Sequence, residues 1–535
     1  MKATPLLIPL ALACAVLACT RAAAQECTET ESRTGLGALS GARIFSVAVQ
    51  TQAPADLPGA ARVLGRLHVR TRESTVRRRL LFAAGDTVDS LAVAESLRRL
   101  RQLRYLDDVR ISARRCAGAG GVDLVVATRD TWSTQPRVSV RGGGAGVGVQ
   151  ERNLMGTGNE VGARLEMRNQ RMGVGVTLAA PFIAGSNLSG TLGVATFRDG
   201  RDVAARLGTA ERSVFDRRTA ELRLRRSVLA TPDRGRSFLR ENAAFLGGVR
   251  VRASEAGVTL LLAGAEVEHT RLASGFGDTL VGPANVRRSY AALDFGIARR
   301  TARWDTVTWL LRPGVLVDVP HGLESEILVG PGVDVASRRA VVHVDGWAGR
   351  VWLPGRSTLL SADAWTSGYL GNERIDAANA RGLLTAVRRA GTGRWTATLG
   401  GELLVNPDPD VRGLATPDVT RTLFPRELRL ARRIAVASLE RTMPVAALNR
   451  AWGLDAGLFS AGSLRWEAAG DGRERLGTLV LGTTLQLVPA RRARGILRLD
   501  AGYPASISGG LSRRPYLVFS VSPLPSDHRH RDGAN

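Results

Sequence analysis

From Trp132 onward the chain keeps one rhythm, and that rhythm limits what it can fold into. In VGARLEMR, Val161, Ala163, Leu165 and Met167 alternate with Gly162, Arg164, Glu166 and Arg168. In AELRLRR, Ala220, Leu222 and Leu224 alternate with Glu221, Arg223 and Arg225. VRVRA from Val249 and ILRLDA from Ile496 repeat the pattern. A period of two is the signature of a strand with two unlike faces. A water-soluble sandwich also alternates, but it seldom places Arg or Glu at every second position over such a length. A barrel in a bilayer does, because lipid wets one face and a wet lumen the other. Turn-forming runs such as GTGN, GSN, RDGRD, TPDRGR and AGDGR separate the stretches. At ~10 residues per strand, Trp132 to Val521 has room for about sixteen antiparallel strands, and length does not separate about fourteen from about eighteen.

No stretch after the N-terminus holds the ~18 consecutive apolar residues of a spanning helix. The start has another meaning. MKATPLLIPLALACAVLACTRAAAQ has a cationic start at Lys2, an apolar run from Leu6 to Ala18, and small residues at Ala22–Ala24. This is a secretory signal peptide over residues 1–24. A second reading takes Val16–Cys19 as a degenerate lipobox with Cys19 lipidated. Export leaves Cys27 and Cys116 in an oxidising compartment, a candidate disulfide pair; neither has a CxxC or His neighbour, so no metal is assigned.

The formal charge is +25, and lysine occurs only at Lys2. Nucleic acid is not implied. The arginines are spread along the chain beside Asp and Glu, and aromatics that would stack bases are few. No GxSxG, HExxH, P-loop or dinucleotide fingerprint occurs, and RGGGAGVG lacks the GxGxxG spacing, so the expectation is a protein that is not an enzyme and needs no cofactor. His528 and His530 lie in a polar tail, residues 523–535.

Between an N-terminal segment (25–41) and the alternating region, residues 42–131 read as a small α+β unit. ARIFSVAVQTQ is a strand. STVRRRLLF is a helix with Ser74 as N-cap, Val76 and Leu80 one turn apart, and Gly85 after it. In DSLAVAESLRRLRQL, Val93, Leu97 and Leu100 share a helical face, with Asp89 or Ser90 as cap. YLDDVRISARR and VDLVVATRD form a hairpin around CAGAGG.

These residues carry a resemblance. LLFAAGDTVDSLAVAESLRRLRQLRYLDDVRISA resembles a POTRA domain of the BamA/TamA family of outer-membrane assembly proteins. Gly85-Asp86, the Leu97/Leu100 helix, Tyr105 and Asp108-Val109 occupy the family's positions; Arg104 stands where the family usually has Gly. The family's first-hairpin run E-x-N-L-x-G-T-G is matched by Glu151, Asn153, Leu154, Gly156, Thr157 and Gly158. Its lumen-loop motif is matched by Val411, Arg412 and Gly413, with Leu414 in place of the aromatic residue, and ASLERTMP (Ala437–Pro444) matches a later strand.

The resemblance implies a mainly β fold: one N-terminal periplasmic POTRA-like domain (42–131) and a C-terminal transmembrane antiparallel β-barrel of sixteen strands (132–522). It implies that the loop holding Arg412 turns into the lumen and pairs with an acid of the wall. Glu440 and Asp455 are the candidates, because Ser460 occupies a position where the family has Asp. Glu440 offers a bidentate partner for the guanidinium, and Arg441 faces the other way. The implied function is insertion or translocation of other polypeptides at the bacterial outer membrane, through client capture by the POTRA-like sheet edge and a lateral seam between strands starting near Arg137 and ending at Val521. Outer-membrane lipid, unfolded clients and accessory lipoproteins are the implied partners. The alternative is a passive transport or structural barrel, a surface antigen without insertase activity.

Overall fold

The chain ahead of Trp132 folds around one apolar cluster. The computed structural model describes residues 27–31, 39–54, 69–116, 121–141, 144–168, 171–197, 200–230, 237–272, 287–310, 316–371, 375–405, 433–448, 452–466, 475–489, 496–506 and 515–522. In them the chain separates into two units, one made of residues up to Leu57 with Arg72–Thr131, the other of Pro58–Thr71 with Trp132 onward. The expected signal peptide (1–24) and polar tail (523–535) lie outside the described residues.

In the first unit β1 (Cys27–Glu31), β2 (Arg43–Gln52), α1 (Glu73–Arg77), α2 (Ser90–Gln102), β3 (Leu106–Cys116) and β4 (Gly121–Asp130) follow one another. The sheet order is β1-β3-β4-β2, with β2 and β4 parallel and the other pairs antiparallel. β1 adds a strand where a plain N-terminal segment was expected. Val93, Leu97 and Leu100 of α2 are buried together with Ile44, Ile111 and Leu124 of the sheet. Asp89 caps α2 by accepting from the Leu91 N–H at 2.9 Å. Ser74 does not cap α1. The amides of Thr75 and Val76 already donate to the Arg72 carbonyl, so the helix starts two residues earlier and Ser74 sits within it. Gly85 takes φ +95°, and its amide donates to Ile44 while Asp86 accepts from the Ala83 N–H, which pins the turn to β2.

The second unit is a closed antiparallel barrel. Its first half comprises β5 (Thr134–Arg141), β6 (Gly144–Leu154), β7 (Asn159–Arg168), β8 (Arg171–Ala180), β9 (Leu188–Phe197), β10 (Gly200–Thr209), β11 (Arg218–Ala230), β12 (Ser237–Ser254), β13 (Gly257–Leu272) and β14 (Arg287–Thr301). A two-stranded excursion follows, β15 (Trp304–Val307) and β16 (Val317–Pro320). The second half comprises β17 (Gly322–Asp334), β18 (Arg339–Trp352), β19 (Thr358–Gly371), β20 (Ile375–Ala390), β21 (Gly393–Val405), β22 (Arg433–Ala447), β23 (Trp452–Trp466), β24 (Arg475–Pro489), β25 (Ile496–Ser506) and β26 (Tyr516–Ser522). β26 lies beside β5 and closes the ring.

Among the described residues the ring has twenty strands, against the sixteen expected. β5 and β6, β7 and β8, β9 and β10, β12 and β13, and β20 and β21 each follow one another two residues apart, which frees chain for more strands.

The barrel is inside out relative to a water-soluble core. On β14, Leu293, Phe295 and Ile297 are 55%, 58% and 47% exposed, whereas Asp294 between them is 4% exposed. Leu165, Met167, Leu222, Leu224 and Leu481 repeat this outward display. So wide a belt of exposed Leu, Val and Phe is the pattern of a lipid-facing wall. Two arginine–tryptophan pairs mark its margin: Arg350 lies 5.0 Å from the Trp352 ring and Arg441 lies 5.2 Å from the Trp395 ring. Among the described residues no helix is long and apolar enough to cross a membrane.

Strand direction alternates around the ring. β14 therefore ends, and β17 begins, at the rim where β5 begins and β26 ends, whereas β21 ends at the opposite rim. The β15–β16 hairpin packs Val307, Trp309, Leu310, Val317 and Val319 against Val351, Leu359, Val387, Val488 and Ile496 of the inner wall. An apolar wedge from this rim thus occupies part of the lumen.

Candidate functional site

The first-hairpin motif is a hydrogen-bonded turn built around Asn153. This side chain is 2% exposed. Its Oδ1 accepts from the Gly158 N–H at 2.8 Å, and its Nδ2 donates to Thr71 Oγ1 at 2.8 Å. Glu151 accepts from the Asn153 N–H at 2.7 Å through Oε1 and from the Thr134 hydroxyl through Oε2. Thr157 Oγ1 donates to the Leu154 carbonyl at 2.7 Å. Gly156 and Gly158 both take φ +74°, a conformation that glycine adopts without a Cβ clash. Each residue type in the motif has a job in one turn, and Glu151 ties that turn to the first barrel strand.

The second constellation lies on the inner wall across β21–β25. Glu440 of β22 is 5% exposed. Its Oε2 accepts from Arg498 Nη2 at 2.6 Å and its Oε1 from Gln486 Nε2 at 2.8 Å. Arg498 also donates through Nε to both oxygens of Asp500 at 2.8 Å. Gln486 Oε1 accepts from Arg394 Nη2 at 2.9 Å, and Arg394 Nη1 donates to the Leu310 carbonyl of the lumen wedge at 3.2 Å. One chain of charge-assisted bonds therefore runs from β25 through β24 and β22 to β21 and the wedge.

This chain crosses β23 without using one of its side chains, and Gly457 shows why it can. Thr442, Gly457 and Thr484 occupy one row of register. A Cβ at Gly457 would stand 2.3 Å from the Arg441 carbonyl oxygen and 2.8 Å from Thr442 Cγ2. The missing side chain opens the wall where Glu440 reaches two strands over.

Val411, Arg412, Gly413 and Leu414 lie outside the described residues. Of their candidate partners, Glu440 is inside the network and Asp455 is buried on the same inner face, opposite Gln486 in register. Ser460 is in an outward row, paired with Leu439 and Leu481, both exposed. Glu440 and Arg441 face opposite ways, as their alternation requires. The backbone register sets Cys27 directly against Cys116. Sequence reading did not single out Arg394, Gln486 or the wedge. Arg498 and Asp500 stand on the charged face of ILRLDA, so their side of the wall was readable but their partners were not.

These features define a class: a closed antiparallel barrel with an apolar exterior, a hydrogen-bonded lumen wall and a wedge inside. Three solved structures are similar to the chain. BamA from Haemophilus ducreyi lacking POTRA domains 1-3 is 12% identical, with 89% of this chain and 85% of that one covered and a TM-score of 0.33. CdiB from Acinetobacter baumannii is 12% identical over 85% and 78%, with a TM-score of 0.39. CdiB from Escherichia coli is 9% identical over 92% and 80%, with a TM-score of 0.43. No family model and no curated protein matches the sequence. The likeness is one of barrel architecture.

Proposed function

We propose that this protein assists the insertion or translocation of other polypeptides at the bacterial outer membrane, by opening its barrel sideways between β5 and β26. The observation that carries this reading is strand length around the ring. β26 has 7 residues and β5 has 8, the two shortest, whereas β12 on the far side has 18 and β13 has 16. A ladder's strength scales with its hydrogen bonds, so the closure is the cheapest place to part the wall. A parted strand offers unpaired backbone groups that a client strand can complete.

In this reading the first unit is a periplasmic POTRA-like domain whose edge strands β1 and β2 capture an extended client. No bond chemistry is assigned. The wedge weighs against the alternative of a passive pore, since Trp309 and Leu310 occupy lumen space. A disulfide engineered between β5 and β26 tests the proposal. Locking the seam should deplete other outer-membrane proteins from the membrane fraction, with reversal by reductant. An unchanged outer-membrane proteome with the lock fully formed refutes it.

A further inference from the structure

A second inward cluster sits elsewhere on the wall, formed by Glu266 of β13, Asp294 of β14 and His343 of β18. One ligand atom from each lies within 4.8 Å of the other two. His343 is 4% exposed, as is Asp294. From these we infer a binding site for a first-row divalent transition metal such as Zn²⁺, held by Glu266 and His343 with Asp294 orienting the imidazole.

The arrangement rests on a missing side chain. In register His343 faces Gly330 on one side and Tyr369 on the other. A Cβ at Gly330 would stand 1.6 Å from the Leu293 carbonyl oxygen and 2.9 Å from Asp294 Cα. Only glycine fits there, and the gap lets His343 reach past β17 to β14. Its Nδ1 lies 2.8 Å from Asp294 Oδ1. Its ring stacks on Tyr369 with centroids 4.8 Å apart, and Tyr369 stacks on Tyr290 at 3.9 Å. The imidazole is thereby fixed in orientation.

The outstanding feature is what the ring faces on its other edge. His343 Nε2 is 3.9 Å from Glu266 Oε2, beyond hydrogen-bond reach, and no hydrogen bond to it is formed among the described residues. In the neutral tautomer that carries its proton on Nδ1 for Asp294, Nε2 presents a lone pair to a Glu266 oxygen. Two electron-rich atoms held face to face in a buried wall are stabilised by a cation between them. Glu266 is itself oriented, because its Oε1 accepts from Asn242 Nδ2. The His343 imidazole and the Glu266 carboxylate form a borderline N/O donor pair that suits Zn²⁺ and Co²⁺ with water completing the shell, and Asp294 behind the imidazole is the usual outer partner of a metal-bound His. A bound ion would join β13 and β18 by coordination and β14 through Asp294, fastening a sector of wall remote from the β5–β26 closure.

The test uses the full-length refolded barrel, stripped with chelator and titrated with Co²⁺ and then Zn²⁺. Expected is one Co²⁺ per chain with visible d–d absorption, displaced by Zn²⁺, and a rise in the midpoint of heat-modifiable gel migration on Zn²⁺ addition. His343→Ala and Glu266→Gln should each weaken binding by about tenfold or more and abolish the Zn²⁺-dependent rise. Gel migration of the unheated variants confirms that each folds; a variant that does not fold is replaced by Asp294→Asn. Absence of Co²⁺ absorption in the folded wild type overturns the proposal, as does equal binding in a folded variant.

Discussion

Glu440→Gln probes the inner wall with a nearly isosteric change. Among the described residues the wild-type carboxylate accepts from Arg498 at 2.6 Å and from Gln486 at 2.8 Å. The amide has one acceptor oxygen and sets an NH₂ against the other donor. Gln486 cannot simply turn its amide to compensate, because its own Oε1 is occupied by Arg394 at 2.9 Å. Removing one partner of a buried ion pair costs about 3–5 kcal/mol. Arg498 keeps Asp500 at 2.8 Å, and a wet lumen screens what remains, so we expect a loss of about 2–4 kcal/mol. Urea unfolding of the refolded protein in detergent micelles, followed by tryptophan fluorescence at constant m, reads it as a lower midpoint. The double variant with Arg498→Gln should lose about 1–3 kcal/mol less than the sum of the singles. A loss below about 0.5 kcal/mol, or strict additivity, refutes the network as a stabilising element.

Asn153→Ala removes an acceptor from Gly158 and a donor to Thr71; we expect about 2–3 kcal/mol of destabilisation and slower appearance of the heat-modifiable form. Glu95 of α2 is buried, which alone raises a carboxyl pKa, but hydrogen bonds and charge from Arg98 and Arg99 overcome this and hold it at about 2. A depressed folded pKa contributes stability above the unfolded value of about 4.5 that is lost as pH falls towards about 2. Amides of 91–100 should therefore exchange faster in Glu95→Gln than in wild type at pH 7, with the gap closing between pH 5 and pH 2; a gap constant with pH contradicts the pairing. If Cys27 and Cys116 are joined across β1 and β3, thiol labelling of unreduced, unfolded mature protein should find none; two labels reject the bridge. Arg412→Ala should lower barrel stability or client insertion with export intact, and unchanged heat modifiability with unchanged client levels rejects an inward arginine.

What was legible in the sequence is what depends on neighbours along the chain. The alternation of Leu165 and Met167 with Arg164 and Glu166 required two unlike faces, and both leucine-type residues do face outward. The helix face of Val93, Leu97 and Leu100 followed from spacing, as did the opposed directions of Glu440 and Arg441. What was not legible depends on register between distant strands. Nothing local pairs Glu440 with Arg498, or His343 with Asp294, because the first contact passes two strands and the second passes one, each at a glycine that looks ordinary in the sequence. The strand count was missed because turn length, not strand signal, decides how many strands fit. Trp309 and Leu310 read as one more apolar stretch, and only the ring's closure turns their connection inward.

The gaps at Gly457 and Gly330 have a mechanical consequence. Hydrogen-bond ladders hold each strand to its immediate neighbours and to nothing further round the ring. A side-chain bond between strands two or three apart is a diagonal brace. Glu440–Arg498 braces the sector that ends on β25, one strand from the closure, while short ladders lead away from β5 on the other side. A sideways opening would then be lopsided: one lip stiff like a door jamb, the other yielding like the door.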